Sequence, residues 1–197
     1  MGLYIEMNDI DELFAVPILR VKLGLDLKEI TNYCNKLHET GENRVVSNQG
    51  GFQTKMDMSS KALNPLIKKI ELHARLLAQK FINENSQKVL GMWLNINGHN
   101  HCNLTHLHNG CDISGVYYVK TPQGCGQLSF EHPACDVMSY YSQDQNIAEM
   151  NTYNAQYWNF DPEEDWLYLF PGWLKHAVLT NESQHNRISI AFNMKQS

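Results

Sequence analysis

The stretch GHNHCNLTHLHNGCDISGVYYV (98–119) places His99, His101, His106 and His108 within ten positions of a chain that has nine histidines in all. His106-Leu107-His108 is an H-x-H pair. On an extended segment, residues i and i+2 point to the same side, so both imidazoles can face one point. Imidazole nitrogen is a ligand for several transition metals, and three such donors make a site. The third has to come from elsewhere. His176 suits the role, because it follows the turn Pro171-Gly172 and opens an apolar strand. Eleven residues later, Arg187 and Ser189 share one side of the last strand. A planar guanidinium and a hydroxyl so placed can grip a carboxylate. His99 and His101 read as surface groups or as groups behind the ligands. The competing reading, a solvated pair in a loop, loses ground once His176 and Arg187 are set beside the pair.

These side chains need a scaffold, and the totals bound it. The chain has 197 residues, with 16 Lys and Arg against 21 Asp and Glu, a net charge of −5. That balance argues against nucleic acid as the partner, since phosphate binding needs clustered cations. No apolar run approaches the roughly 20 residues that cross a bilayer. The opening MGLYIEMNDIDELF carries acids where a secretory signal would be basic, so a cytoplasmic protein without a membrane partner is expected. Cys34, Cys102, Cys111, Cys125 and Cys135 form no C-x-x-C pair and read as free thiols. Cys102 and Cys111 flank the H-x-H and are read as small hydrophobic residues.

Along the chain the texture changes near residue 90. A single domain over 1–197 is expected, with a strand-and-helix buttress at 1–89 and a β core at 90–197. The first part holds a strand at 16–23 and a helix at about 27–39 introduced by Asp26 and Glu29. Gly41 falls where a left-handed residue usually ends a helix. Residues 42–58 have no clear period and read as a loop around Gly50-Gly51. Asn64-Pro65 opens a second helix, with Leu66, Ile67, Ile70, Leu77 and Phe81 as a stripe reaching about residue 85. Short strands follow at 92–97, 113–119, 127–130, 155–160, 166–170, 176–180 and 187–193, rich in aromatic and branched residues. Their length and spacing predict an antiparallel sandwich or barrel. The polar segment 133–154 reads as a long loop over its mouth.

Five motifs in order, SNQGGFQT (47–54), HLHNGCDISGVYYV (106–119), GCGQLSFEHP (124–133), LYLFPGWLKHAV (167–178) and RISIAFN (187–193), resemble the Fe(II)/2-oxoglutarate-dependent oxygenases. The likeness is to a branch of small 2OG-Fe(II) oxygenases of bacteria and phages with a prolyl-4-hydroxylase-like fold. It implies a mainly β double-stranded β-helix, a cupin-like jelly roll buttressed by N-terminal helices. It implies Fe(II), 2-oxoglutarate as cosubstrate and O2, with hydroxylation of a further substrate and release of succinate and CO2. His106 and His176 would be iron ligands. His108 stands where most relatives carry Asp or Glu, which makes a three-histidine site, or a two-histidine one if His108 turns away, with Asp112 as the second choice for a carboxylate. Arg187 would pair with the far carboxylate of 2-oxoglutarate, helped by Ser189 or Tyr117. Two other readings stand beside this one: a cupin-type three-histidine metalloenzyme that uses no 2-oxo acid, and a non-catalytic jelly-roll binding module. The primary substrate is left open, and so is a homodimer through edge strands or the helical face.

Overall fold

The computed structural model describes residues 13–82, 86–143 and 149–196. Its strands form two sheets in which every pairing is antiparallel. In chain order they are β1 (Leu19–Lys22), β2 (Asn48–Gln49), β3 (Phe52–Lys55), β4 (Gln87–Asn97), β5 (Cys102–His106) and β6 (Ile113–Lys120). Then come β7 (Leu128–Glu131), β8 (Tyr157–Phe160), β9 (Trp166–Pro171), β10 (His176–Val178) and β11 (Arg187–Gln196). The larger sheet runs β1-β9-β6-β11-β4-β3 and the smaller β2-β5-β10-β7-β8. The result is an antiparallel sandwich, as the strand pattern predicts, with the double-stranded β-helix or jelly-roll architecture that the resemblance implies.

Period-2 alternation decides what each face of the large sheet meets. From β11, Ile188, Ile190, Phe192 and Met194 enter the core shared with the helices. There they pack on Leu66, Ile70, Ala74 and Leu77 of α2 (Asn64–Ala78) and Ile30 and Cys34 of α1 (Leu27–Thr40). Arg187, Ser189, Ala191 and Asn193 face the other way, toward the smaller sheet. A second core, with Val116, Tyr118, Phe130, Tyr168 and Phe170, fills part of that inner space.

Several elements depart from the expectations. The segment 42–58 contains β2 and β3, joined by a turn in which Gly50 takes φ 72°. Strands this short carry no readable period; their partners, β5 and β4, lie far along the chain. Gly41 is not left-handed: its φ is −85°, and glycine is needed because a Cβ would come 2.6 Å from the Leu37 carbonyl oxygen. Helix α2 ends at Ala78 and passes into a turn, which leaves Phe81 38% exposed instead of in the stripe. The expected mouth loop at 133–154 contains a helix, α3 (Cys135–Gln143), started where the Ala134 amide donates to the His132 ring, while 144–148 lie outside the described residues. The first half also supplies β1, β2 and β3 to the two sheets, besides its helices.

All five cysteines are free. Burial pushes the Cys34 thiol up to about 12, so it serves as a core side chain. Among the described residues no helix is long and apolar enough to cross a membrane.

Candidate functional site

Strand β5 ends at His106, and the β5–β10 register sets His176 directly across from it. Two residues on, His108 is held by its backbone N–H, which donates to the Gly172 carbonyl at 2.9 Å. The three rings meet with centroids 4.4 Å (106–176), 5.0 Å (106–108) and 5.2 Å (108–176) apart. One nitrogen from each lies within 4.8 Å of the others. Around a cation with metal–nitrogen bonds of about 2.1 Å, three donors at octahedral or tetrahedral angles stand about 3.0–3.4 Å apart, so the rings must draw together to close the set.

Ring orientation is set from behind. The Nδ1–H of His106 donates to the Leu104 carbonyl at 2.6 Å, and that of His176 to the Leu174 carbonyl at 2.9 Å. Both rings therefore keep Nε2 free as a ligand atom. The Nδ1 of His108 is 3.4 Å from the Asn193 amide nitrogen, and the Asn193 oxygen accepts from the Ser114 hydroxyl at 3.0 Å. Burial, reinforced by the His106 ring, lowers His108 to about 4 and His176 to about 3. Near neutral pH both are uncharged, the form that ligates. Phe170, 4.6 Å from His176 between ring centres, walls the site.

The remaining histidines stay out of this group. His99 is exposed, with Nδ1 3.2 Å from the Ser183 carbonyl. His101 accepts from the Gly98 amide at 3.0 Å and covers Gly50. Asp112 does not supply a carboxylate either, because it turns to accept from the Gln196 amide at 2.8 Å.

Arg187 is 1% exposed, a cation inside the sandwich. Its Nη1 donates to the Cys125 carbonyl and approaches those of Gly126 and Leu179, each at 3.4 Å. Gly126, at φ 85°, presses so close to the Leu179 carbonyl that no side chain fits there. The Nε and Nη2 of Arg187 and the hydroxyl of Tyr118 are buried without a hydrogen-bond partner among the described residues. Buried donors rarely stay unpaired, least of all on a cation, so these atoms fit an acidic group that enters between them. Tyr118 pairs in register with Ser189, which lines the inner space together with His106, His108 and His176. The carbonyls anchor one side of the guanidinium, and its unpaired edge with the nearby hydroxyls has the donors that a carboxylate needs.

Tyr117, expected as a helper of Arg187, faces the opposite side. It lies in the helix-side core, and its hydroxyl donates to Asp165 at 2.8 Å. Asp165, at φ 68°, also accepts from the Gly24 and Leu25 amides at 2.7 and 3.1 Å. The sequence signal was the adjacent pair Tyr117-Tyr118, of which strand alternation turns only one inward. Asn193 was also missed, although its i+2 relation to Ala191 and Ser189 places it on the inner face.

The 2OG-Fe(II) family model described as "Putative 2OG-Fe(II) oxygenase" matches residues 91–193, which include the three histidines, Tyr118 and Arg187. No curated protein matches the chain. Among solved structures, a Pseudomonas putida prolyl-4-hydroxylase is similar at TM-score 0.65 and 13% identity, over 92% of this chain and 94% of that one. The viral collagen prolyl hydroxylase of Paramecium Bursaria Chlorella virus-1, solved with 2OG, aligns at TM-score 0.61 and 13% identity over 91% and 96%. The epimerase SnoN, solved with Fe3+, alpha ketoglutarate and nogalamycin RO, aligns at TM-score 0.66 and 12% identity over 92% and 79%. Identities this low bear on the fold, whereas the family match spans more than half of the sequence. The chain belongs to the 2OG-Fe(II) oxygenases, enzymes that use iron and 2-oxoglutarate.

Proposed function

We propose that His106, His108 and His176 hold the iron, that Arg187 with Tyr118 and Ser189 holds the far carboxylate of 2-oxoglutarate, and that the enzyme hydroxylates a further substrate. The observation that carries this reading is the buried Arg187 with Nε and Nη2 unpaired beside the unpaired Tyr118 hydroxyl. A planar fork offers two parallel donors to a carboxylate, a match that lysine cannot reproduce.

When bound, the iron supplies the oxygen chemistry in which 2-oxoglutarate becomes succinate and CO2, one oxygen atom of O2 entering succinate and the other a substrate C–H bond. The chain's own groups do the placing. Leu104 and Leu174 carbonyls fix the tautomers of His106 and His176. Phe130 and Phe170 beside His176 keep water from that side. Three neutral imidazoles would bring no charge to the metal, one negative charge fewer than a two-histidine, one-carboxylate set.

Anaerobic titration of the purified chain with Fe(II) and 2-oxoglutarate, followed by succinate assay on admitting O2, tests the reading. Succinate that depends on all three components supports it. Metal loading without 2-oxoglutarate affinity would point instead to a three-histidine enzyme that uses no 2-oxo acid. Loss of neither on His176→Ala would end both.

A further inference from the structure

A cleft of about 680 Å³ opens beside the histidines, between the β3–β4 edge and β5. His106, His108 and Trp93 line it, with the Trp93 ring centre 5.7 Å from that of His108. Two charged residues line the cleft, Arg44 and Lys55, and both are cations. Lys55 stands opposite Trp93 in the β3–β4 register. Arg44 is tied to the same strand, its backbone N–H donating to the Gln53 carbonyl at 2.8 Å. Neither cation has an ion-pair partner among the described residues, where the pairs are Lys88–Glu71 and Lys175–Glu131. No described carboxylate lines the cleft, in a chain whose net charge is −5. Among the residues that line the cleft, three apolar ones stand open to solvent: Val46 is 73%, Leu90 54% and Leu104 50% exposed.

We propose that this cleft binds a small amphipathic organic anion, an apolar body bearing one carboxylate or phosphate, and presents its body to the histidine centre. Calling that molecule the substrate rests on the function proposed above; its binding does not. The volume lies within the range of about 300–1,000 Å³ typical of small-molecule sites. Two isolated cations suit a single anionic head and are too few for a nucleic-acid backbone. The exposed Val46, Leu90 and Leu104 gain from covering by an apolar body, and Trp93 offers a flat face to it. An anionic head at Arg44 and Lys55 leaves the body to span the space toward His106 and His108.

Calorimetry on the full chain, loaded anaerobically with Fe(II) and saturating 2-oxoglutarate, tests this with matched probes. Octanoate, 4-phenylbutyrate and octyl phosphate carry the anion; octanol, 4-phenylbutanol and octylammonium carry the same bodies with neutral or cationic heads. At least one acid is expected to bind about tenfold tighter than its alcohol, with the ammonium weakest. The carboxylate and phosphate arms tell which head is preferred. The double variant Arg44→Ala, Lys55→Ala should erase the preference while keeping 2-oxoglutarate affinity, which also reports that it is folded. Arg187→Ala should do the reverse. Acids that bind no better than alcohols, no acid binding at millimolar concentration, or a preference that survives the double variant would overturn the proposal. Failure to bind 2-oxoglutarate would instead count against the function above, because the probe preference can be read on the chain without it.

Discussion

His106 and His176 face each other across the β5–β10 register, and each ring donates through Nδ1 to the carbonyl two residues before it. This repeated arrangement aims the two Nε2 atoms at a common point. Such preorganisation means that little side-chain freedom is lost when a cation arrives.

His176→Ala or His106→Ala is expected to abolish Fe(II) retention, seen as loss of metal by anaerobic elemental analysis. His108→Asp, which restores the two-histidine, one-carboxylate set, should keep it. Equal metal loss in all three variants would mean that the third position is shaped for imidazole alone.

Asn193 is expected to act through His108. With its amide turned so that the oxygen accepts from His108 Nδ1–H, Asn193 leaves Nε2 free to ligate, and Asn193→Leu should then weaken Fe(II) binding about tenfold, the scale of groups that orient ligands. Unchanged metal affinity would place the 3.4 Å contact among incidental ones.

Tyr117→Phe and Tyr118→Phe should separate cleanly. The first deletes a buried hydrogen bond to Asp165 and should cost about 1.5–3 kcal/mol in denaturant unfolding, with 2-oxoglutarate affinity unchanged. The second should lower that affinity and leave stability nearly intact. Arg187→Ala is the stronger version, with a loss of about 100-fold. The opposite pattern for the two tyrosines would reverse the assignment of the sheet faces to the site.

Acid should destabilise the metal-free protein. His176 and His108 titrate at about 3 and 4 when folded, against 6.5 as unperturbed groups. Between those values the unfolded chain binds more protons, so the stability held above pH 6.5 is lost as pH falls toward 4 and then 3. The melting temperature of the metal-free chain should drop from pH 7.5 to pH 5, and less steeply in His176→Leu. Identical pH profiles would show that His176 does not carry the effect.

Much of this was legible in residue order. The H-x-H pair, His176 after its Pro-Gly turn, and Arg187 with Ser189 needed only two-residue alternation and local turn chemistry, properties carried by neighbouring residues. The same holds for α1 and for most of the long strands. The elements misread were those whose partners lie far away. β2 and β3 are too short to show a period and exist because β5 and β4 accept their hydrogen bonds. The choice between Tyr117 and Tyr118 was equally invisible, since both have identical side chains and adjacent positions. Pairing with β11 and packing under the helices turned Tyr118 toward Arg187 and gave Tyr117 to Asp165. Asp112 was drawn off by the amide of Gln196, at the far end of the chain. Residue types and spacing along the chain determined which chemistry this protein carries. Only tertiary structure decided which atoms share the site, because strand register and sheet face are set by long-range hydrogen bonds and burial.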